Sequence, residues 1–131
     1  MAIRVELTDD AVADLARYAT TGNLPLFLKK LIQLEAVGND AGLPLGGALS
    51  GYRKIVVGDR NWRMIFTTNA EETVATVLVI GDRDDAACYE EAQRRLEAMG
   101  AQRPEAVSLA AAMFQISEMQ REGKRKGRKR Q

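Results

Sequence analysis

The sequence predicts an α+β domain with an N-terminal strand, a two-helix hairpin, a three-stranded antiparallel meander and C-terminal helices. Residues 9–37 carry apolar side chains at helical spacing, whereas residues 52–80 have the composition of strands separated by two tight turns. A chain of 131 residues with 46% hydrophobic content can close one core of ordinary size. We therefore expect one compact domain whose helices pack on one face of the sheet.

The N-terminal segment alternates over residues 3–7, which predicts a half-buried strand. Thr8 or Asp9 offers an N-cap for a helix over residues 9–20, and acidic residues in its first turn suit the helix dipole. The apolar stripe of this helix comprises Ala11, Val12, Leu15, Tyr18 and Ala19.

A second helix is predicted from Leu24 to Gly38, with Pro25 near its first position, where a missing amide hydrogen does no harm. Its apolar positions are Leu28, Leu31, Ile32 and Leu34. The two helices should form a hairpin with an apolar seam. The glycine-rich residues 38–47 read as a loop that leads to the sheet.

Three strands are predicted next, at residues 52–57, 62–68 and 73–80. Glycine, aspartate and asparagine at the reversals 58–61 and 69–72 are typical of hairpin turns. Because the third strand is the most apolar, we place it centrally in the sheet.

The C-terminal part is predicted to form a helix over residues 84–99 that ends at Gly100, then an amphipathic helix over 104–120 that begins at Pro104. We therefore divide the chain into a main domain at residues 1–102, an added helix at residues 103–120 that packs on or extends this domain, and a tail at residues 121–131. The apolar stripe of the added helix is more typical of a packing face than of a cofactor site. It comprises Val107, Leu109, Ala110, Met113, Phe114 and Ile116.

The formal charge of +1 conceals an uneven distribution. Residues 1–120 hold 12 basic and 17 acidic residues, whereas residues 121–131 hold 7 basic and 1 acidic. With no apolar residue, the tail is predicted to be a mobile polybasic arm. Nucleic acid or an acidic protein patch suits it, and a functionally neutral tail is the alternative. Its candidate RNA-binding residues are Lys124, Arg125, Lys126, Arg128, Lys129 and Arg130.

Composition excludes several classes of site and location. The absence of histidine and the single cysteine, Cys88, argue against a zinc site and exclude an intramolecular disulfide, and we expect no metal and no cofactor. Without a histidine to act as its base, Cys88 reads as a structural thiol in preference to a nucleophile. No apolar run is long enough to cross a bilayer and no signal peptide is recognisable, so we expect a cytoplasmic protein.

The first hairpin predicts where two cations lie. If residues 58–61 form the loop, Val57 pairs with Trp62, so Lys54 and Arg63 share one face of the sheet. The other face carries a continuous apolar surface on which helices should pack. A cationic stripe on an open face suits a polynucleotide backbone, because arginine can grip a phosphate through two parallel hydrogen bonds. Solvated strand residues are the alternative, and Arg53 and Arg60 are further candidate RNA-binding residues.

The end of the third strand supplies a second pair. Arg83 and Tyr89 are six residues apart across the strand-to-helix junction, where the helix can fold Tyr89 back toward the rim of the sheet. An arginine beside a tyrosine suits a phosphate and a base. The register of the second hairpin, and therefore the face that Arg83 joins, does not follow from the sequence.

Two segments resemble the RelE/ParE superfamily of type II toxin–antitoxin toxins. They are LSGYRKIVVGDRNWRMIF at residues 49–66 and VLVIGDRDDAACY at residues 77–89, in the same order of elements over about residues 3–98. The resemblance implies a cognate antitoxin as a partner. It covers two kinds of toxin, namely ribosome-dependent mRNA endonucleases like RelE and non-nuclease inhibitors of DNA gyrase like ParE.

The RelE branch resembles this chain at the positions that line the mRNA site. The resemblance implies that Lys54, Arg63, Arg83 and Tyr89 are the catalytic residues, with the ribosome and mRNA as partners. The reaction would be a metal-independent attack of a 2′-hydroxyl on the adjacent phosphate, in which Arg63 and Arg83 hold the phosphate. Lys54 would be a base or electrostatic partner with a pKa lowered by neighbouring cations. Val56 stands where relatives often have a second lysine, and the histidine and glutamate bases of relatives have no counterpart.

Two alternatives to this nuclease reading stay open. One is a ParE-like inhibitor of gyrase without enzymatic activity. The other is a module that binds nucleic acid or an antitoxin and has lost catalysis. In each case an antitoxin could contact the closing helix at Leu96 and Met99, or the added helix near Phe114.

Overall fold

The computed structural model of the protein describes residues 3–59, 61–82, 84–100 and 105–128, with only the backbone described over 123–128. Two short 3-10 helices, Gly38–Ala41 and Gly47–Leu49, lie on either side of the second strand. The strands are β1 (Arg4–Thr8), β2 (Leu43–Pro44), β3 (Arg53–Val57), β4 (Trp62–Thr68), β5 (Val74–Asp82) and β6 (Ala106–Ser108). The helices are α1 (Asp9–Ala19), α2 (Leu24–Val37), α3 (Asp85–Met99) and α4 (Leu109–Arg128).

The strands form one mixed sheet in the order β2-β3-β4-β5-β1-β6. Neighbouring strands are antiparallel except β1 and β5, which run parallel. The α+β class, the helical hairpin and the meander are confirmed, as is the central position of β5. A parallel partner for β5 is possible because the hairpin of α1 and α2 lies between β1 and the meander in sequence.

Local signals place the ends of the first two helices. The Thr8 hydroxyl oxygen accepts a hydrogen bond from the Ala11 amide at 3.1 Å, so Thr8 is the N-cap of α1. Gly38 has a φ of 60° and follows the last residue of α2. The seam between the helices buries Val12, Leu15 and Leu31, as expected. Ile32 was also expected in it but is 58% exposed, because the buried face of α2 carries Phe27 together with the expected Leu31 and Leu34.

Helices cover both faces of the sheet, so the prediction that all of them pack on one face is wrong. The helices α1, α2 and α4 pack on the face that carries Ile55, Met64 and Phe66. The helix α3 packs on the opposite face through Cys88 and Ala92. The physical reason is that this second face is also apolar near its centre, and it needs a cover. Its fully or nearly buried strand residues are Ile65, Leu78 and Val79.

A bulge in β5 contributes to that second apolar face. Ile65 pairs with Val79 and Phe66 pairs with Val77, which leaves Leu78 as the extra residue. Both Leu78 and Val79 join the core under α3. Sequence periodicity alone does not reveal an irregularity of this kind.

A buried ion pair joins α1 to α3 around the edge of β5. Asp14, whose side chain is 2% exposed, accepts hydrogen bonds from Arg95 at 2.7 and 3.0 Å. Beyond Val77 the strand β5 is no longer paired with β1. At this edge Asp14 accepts from the Ile80 amide at 3.0 Å and Arg95 donates to the Leu78 carbonyl at 2.8 Å. The ion pair therefore satisfies backbone groups that a neighbouring strand would otherwise bind.

The C-terminal region differs from its predicted form. Residues 106–108, expected in a helix, form β6 and pair with β1, which covers an edge that would otherwise be exposed. The Ser108 hydroxyl then accepts from the Ala111 amide at 3.1 Å and starts α4. Ala112 and Ile116 anchor this helix in the core, whereas Phe114 is 64% exposed.

The helix α4 continues to Arg128, so the backbone of residues 121–128 is helical where we predicted a mobile arm. Residues 129–131 of that arm lie outside the described residues. Arginine, lysine and glutamate have high helix propensity, and Arg121 pairs with Glu118 at 3.1 Å across one turn. No helix in the described ranges is both long and apolar enough to span a bilayer.

Gly42 is a position where only glycine fits the loop against the sheet. A Cβ atom there would lie 2.7 Å from Cε1 of Phe66 and 2.9 Å from the carbonyl oxygen of Lys54. We expect Gly42→Ala to lower the free energy of unfolding by about 1–3 kcal/mol, because buried backbone has to move. Urea denaturation measures this. Gly46→Ala is the matched control, since its Cβ would meet nothing within 4 Å, and equal losses for both would contradict the steric explanation.

Candidate functional site

The first hairpin has the predicted register. Val57 pairs with Trp62, Val56 with Arg63 and Lys54 with Ile65. Lys54 and Arg63 therefore lie on the face that α3 covers, and the apolar side chains between them point to the opposite core. The convergence of two cations from neighbouring strands is confirmed, but their surface is bordered by a helix.

The close approach of α3 brings two more side chains to these cations. Gly81, opposite Arg63 on β5, permits it, because a Cβ there would lie 2.9 Å from the Cys88 sulfur. Asp85 is the first residue of α3, and Tyr89 follows one turn later on the same helix face. We define the candidate site as Lys54, Arg63, Asp85 and Tyr89.

Asp85 connects the two cations directly. Its Oδ2 accepts from Nζ of Lys54 at 3.0 Å, and its Oδ1 accepts from Nε of Arg63 at 2.8 Å. The side chains of Lys54 and Arg63 are 20% and 11% exposed, whereas that of Asp85 is 41% exposed. Arg63 also donates to the carbonyl oxygen of Trp62 at 3.1 Å. The two cationic side chains are therefore mostly buried, whereas the carboxylate of Asp85 is the more exposed partner in both ion pairs.

Lys54 and Asp85 stabilise each other's charged forms. The hydrogen bond to Asp85 raises the pKa of Lys54, with burial acting against it and Tyr89 adding to the rise. The predicted lowering of the Lys54 pKa is therefore wrong, because its strongest neighbour is an anion. Burial opposes ionisation of Asp85, but the hydrogen bonds from Lys54 and Arg63 outweigh it and lower the pKa of Asp85. At neutral pH Lys54 is a proton donor, which makes it unsuited to act as a base.

Three of the four residues predicted to be catalytic come together in this site, namely Lys54, Arg63 and Tyr89. The fourth, Arg83, lies outside the described residues, as does Arg60. Arg53 points away from the site toward the opposite face. It donates to the carbonyl oxygens of Gly42 at 3.1 Å and Asn39 at 3.3 Å, which holds the loop before β2.

The polybasic segment starts at the same end of the molecule. Gln120 of α4 donates to the Ala19 carbonyl at 3.4 Å, and the neighbouring Tyr18 hydroxyl donates to Asp82 at 3.0 Å. Asp82 ends β5, three residues before Asp85. The predicted RNA-binding residues of this segment with a described backbone are Lys124, Arg125, Lys126 and Arg128, while Lys129 and Arg130 lie outside the described residues.

Cys88 lies under the site and is part of the second core. Its thiol is buried and donates to the carbonyl oxygen of Asp82 at 3.2 Å. Burial raises the pKa of this thiol to about 11, and the nearby Asp85 carboxylate adds to the rise. A thiol in this environment is a poor nucleophile at neutral pH, so the structural role expected for Cys88 agrees with its surroundings.

Asp85 is the member of the site that sequence reasoning missed. Two consecutive aspartates at a helix start read as capping residues, and Asp84 does cap α3 by accepting from the Ala87 amide at 3.1 Å. The signal for a second role is the spacing of four residues between Asp85 and Tyr89, which places both on one helix face.

Solved structures of known toxins have this fold. A double arginine-to-alanine variant of the E. coli toxin RelE in the free state has a TM-score of 0.57 at 19% identity, covering 73% of this chain and 99% of that one. The RelBE toxin–antitoxin complex from Mycobacterium tuberculosis gives a TM-score of 0.55 at 21% identity, covering 63% and 100%. A chromosomal ParDE toxin–antitoxin system from P. aeruginosa gives 0.50 at 15%, covering 62% and 96%.

The sequence itself matches no protein-family model and no curated protein sequence. The solved structures confirm, at the level of the fold, the resemblance predicted from residues 49–66 and 77–89: the fold is that of RelE/ParE toxins. Part of this chain has no counterpart in these structures, since they are covered almost completely while the chain is not.

Proposed function

Starting from a fold shared with RelE and ParE toxins, we propose that this protein is the toxin of a toxin–antitoxin module and cleaves mRNA on the ribosome. The observation that carries the proposal is the convergence of Lys54, Arg63 and Tyr89 on one surface between β3, β4 and α3. Two cations and an aromatic ring on one surface suit a phosphate and an adjacent base of single-stranded RNA.

The proposed reaction uses no metal. The 2′-hydroxyl oxygen of one nucleotide forms a bond to the adjacent phosphorus, the bond to the 5′-oxygen of the next nucleotide breaks, and a cyclic phosphate remains. Arg63, together with Arg83, stabilises the extra negative charge on the phosphate. Lys54 is protonated, so it acts as an electrostatic partner or donates a proton to the leaving 5′-oxygen. Tyr89 stacks on a base or orients the attacking hydroxyl.

Removal of the 2′-hydroxyl proton is left to solvent or to the ribosome, because the cationic groups of the site are poor bases. Orientation of the mRNA on the ribosome then supplies much of the acceleration. The basic residues after position 120 support docking on ribosomal RNA, since they follow Gln120, which contacts the last residue of α1. Slow cleavage of free RNA is the corollary.

An antitoxin partner is part of the proposal. The RelBE and ParDE structures are complexes of toxins with antitoxins. Exposed apolar side chains on a folded protein often mark the surface that binds a protein partner. Phe114 and Met119 on α4, at 64% and 47% exposure, provide one candidate for it.

A gyrase inhibitor of the ParE kind is the second candidate. The observation that favours it is Asp85, which neutralises part of the positive charge at the site and raises the pKa of the lysine. A surface with paired charges suits contact with a protein better than tight binding of a phosphate. The likeness to the ParDE system is compatible with it.

Mapping of mRNA 5′ ends after brief induction in growing cells tests the proposal. The nuclease function predicts new 5′ ends within translated regions within minutes, and their loss when translation initiation of the same transcript is blocked. Intact transcripts together with induction of the DNA-damage response would contradict it and favour gyrase. Intact transcripts without DNA damage would leave a module that binds nucleic acid or an antitoxin and has lost catalysis.

A further inference from the structure

The carboxylate of Asp85 occupies the place that a phosphate would take at this site. Its two oxygens accept from two different cations, Nζ of Lys54 at 3.0 Å and Nε of Arg63 at 2.8 Å. A phosphodiester presents two non-bridging oxygens with a similar separation, and it seeks the same donors. The carboxylate is also the most exposed of the three groups, at 41%.

We propose that Asp85 is an internal phosphate mimic that closes the polynucleotide site of this protein, so that a phosphate has to displace its carboxylate before it can bind Lys54 and Arg63. This rests on the proposed function, because it takes RNA as the ligand of the site. Asp85 is thus a residue that lowers affinity and selects for RNA presented in a fixed position.

The arrangement of charges supports displacement over simultaneous binding. The side chains of Lys54 and Arg63 are only 20% and 11% exposed, and both donate to the more exposed carboxylate of Asp85. A phosphate beside the bound carboxylate would place two anions within a few ångströms of each other. Asp82 and Asp84 add negative charge nearby, and both act on the same buried thiol as Asp85.

The position of Asp85 in α3 allows its side chain to leave. It is the first residue of the helix, where the side chain is bordered by solvent on one side, and the N-cap function belongs to Asp84. Rotation of the Asp85 side chain toward solvent therefore breaks two ion pairs but no backbone hydrogen bond of α3. A phosphate offers acceptor oxygens to the same two donors, so it can take over both ion pairs when the Asp85 side chain leaves.

A purely structural role for Asp85 predicts the opposite effect of its removal on RNA affinity. If Asp85 only positions Lys54 and Arg63, its removal lets both side chains move and weakens RNA binding. If Asp85 occupies the position of the phosphate, its removal makes Nζ of Lys54 and Nε of Arg63 available to RNA and strengthens RNA binding. The sign of the change in affinity therefore separates the two roles.

The test compares Asp85→Asn with the unaltered chain in binding a short fluorescein-labelled RNA whose 2′-hydroxyls are methylated, so that no cleavage interferes. Fluorescence anisotropy at low salt measures the Kd. We expect Asp85→Asn to bind about threefold to tenfold more tightly, because the phosphate no longer has to displace a charged carboxylate that pairs with both cations. Glu90→Gln removes the same charge from an exposed position of α3 and should change the Kd much less.

Thermal unfolding of the same variants provides a second readout. Asp85→Asn should lower the unfolding midpoint, because two ion pairs and a favourable charge at the helix N-terminus are lost. Tighter binding by a less stable protein is a combination that a structural role does not produce. Weaker or unchanged binding by folded Asp85→Asn overturns the proposal, as does an equal gain in Glu90→Gln. Because cleavage is not measured, failure here is distinct from failure to cut mRNA in cells.

Discussion

Replacing Arg63 with glutamine should lower translation-dependent mRNA cleavage by about 100-fold or more, in keeping with the loss of one donor that stabilises transition-state charge. Glutamine keeps most of the stem and one N–H donor, so it should leave the fold intact. The guanidinium, whose Nε donates to Asp85 at 2.8 Å, is lost. The measurement is the rate at which new mRNA 5′ ends accumulate after induction, at matched protein levels.

Arg4→Gln is the matched control for this substitution. Arg4 lies on β1, its side chain is 66% exposed, and it pairs with Glu6 at 3.0 Å instead of facing the site. It should leave cleavage within about twofold of the unaltered protein, because exposed ion pairs contribute little. Undiminished cleavage by Arg63→Gln would remove Arg63 from the proposed mechanism, and equal losses in both variants would point to a general effect of charge.

Replacing Asp14 with alanine should lower the free energy of unfolding by about 3–5 kcal/mol, the range for breaking a buried ion pair from one side. The substitution removes one of the two carboxylates that lie 2.7 Å from the guanidinium of Arg95, whose side chain is 12% exposed, and leaves Glu91 as the other. It also removes the acceptor of the Ile80 amide at the edge of β5. Urea denaturation followed by circular dichroism measures the loss.

Two further variants identify the cause of that loss. Asp10→Ala removes an exposed acidic residue from the same helix and should cost less than about 1 kcal/mol. The double variant Asp14→Leu with Arg95→Met replaces both charges by apolar side chains, and it should recover part of the stability because neither charge remains unpaired. A double variant that is no more stable than Asp14→Ala would show that the unpaired charge of Arg95 is not the source of the loss.

Much of the fold followed from local signals. The register of the first hairpin came from one tight turn, and that register placed Lys54 and Arg63 on one face. Apart from β2, a two-residue strand inside the segment expected to be a loop, the order of helices and strands through Gly100 came from periodicity, caps and glycines, since each of these acts within a few residues. The strand β6 was missed because three residues carry no detectable period, and their pairing with β1 is a contact between distant segments.

The site was predictable in part. Three of its members were named from strand ends, hairpin register and the family resemblance. Asp85 was not, because its role depends on how closely α3 approaches the sheet. That approach depends on Gly81, which leaves room for Cys88, and on the bulge at Leu78, which makes the second face apolar.

The amino-acid sequence by itself determined the class of fold, the hairpin register and the cationic character of one face, because turns, caps and side-chain alternation depend on neighbours along the chain. The tertiary structure decided which face α3 covers and what the two cations bind. Long-range packing brings a carboxylate from α3 within 3.0 Å of a lysine 31 residues away in sequence. This contact raises the pKa of that lysine, since a pKa is set by the surroundings of a group in space.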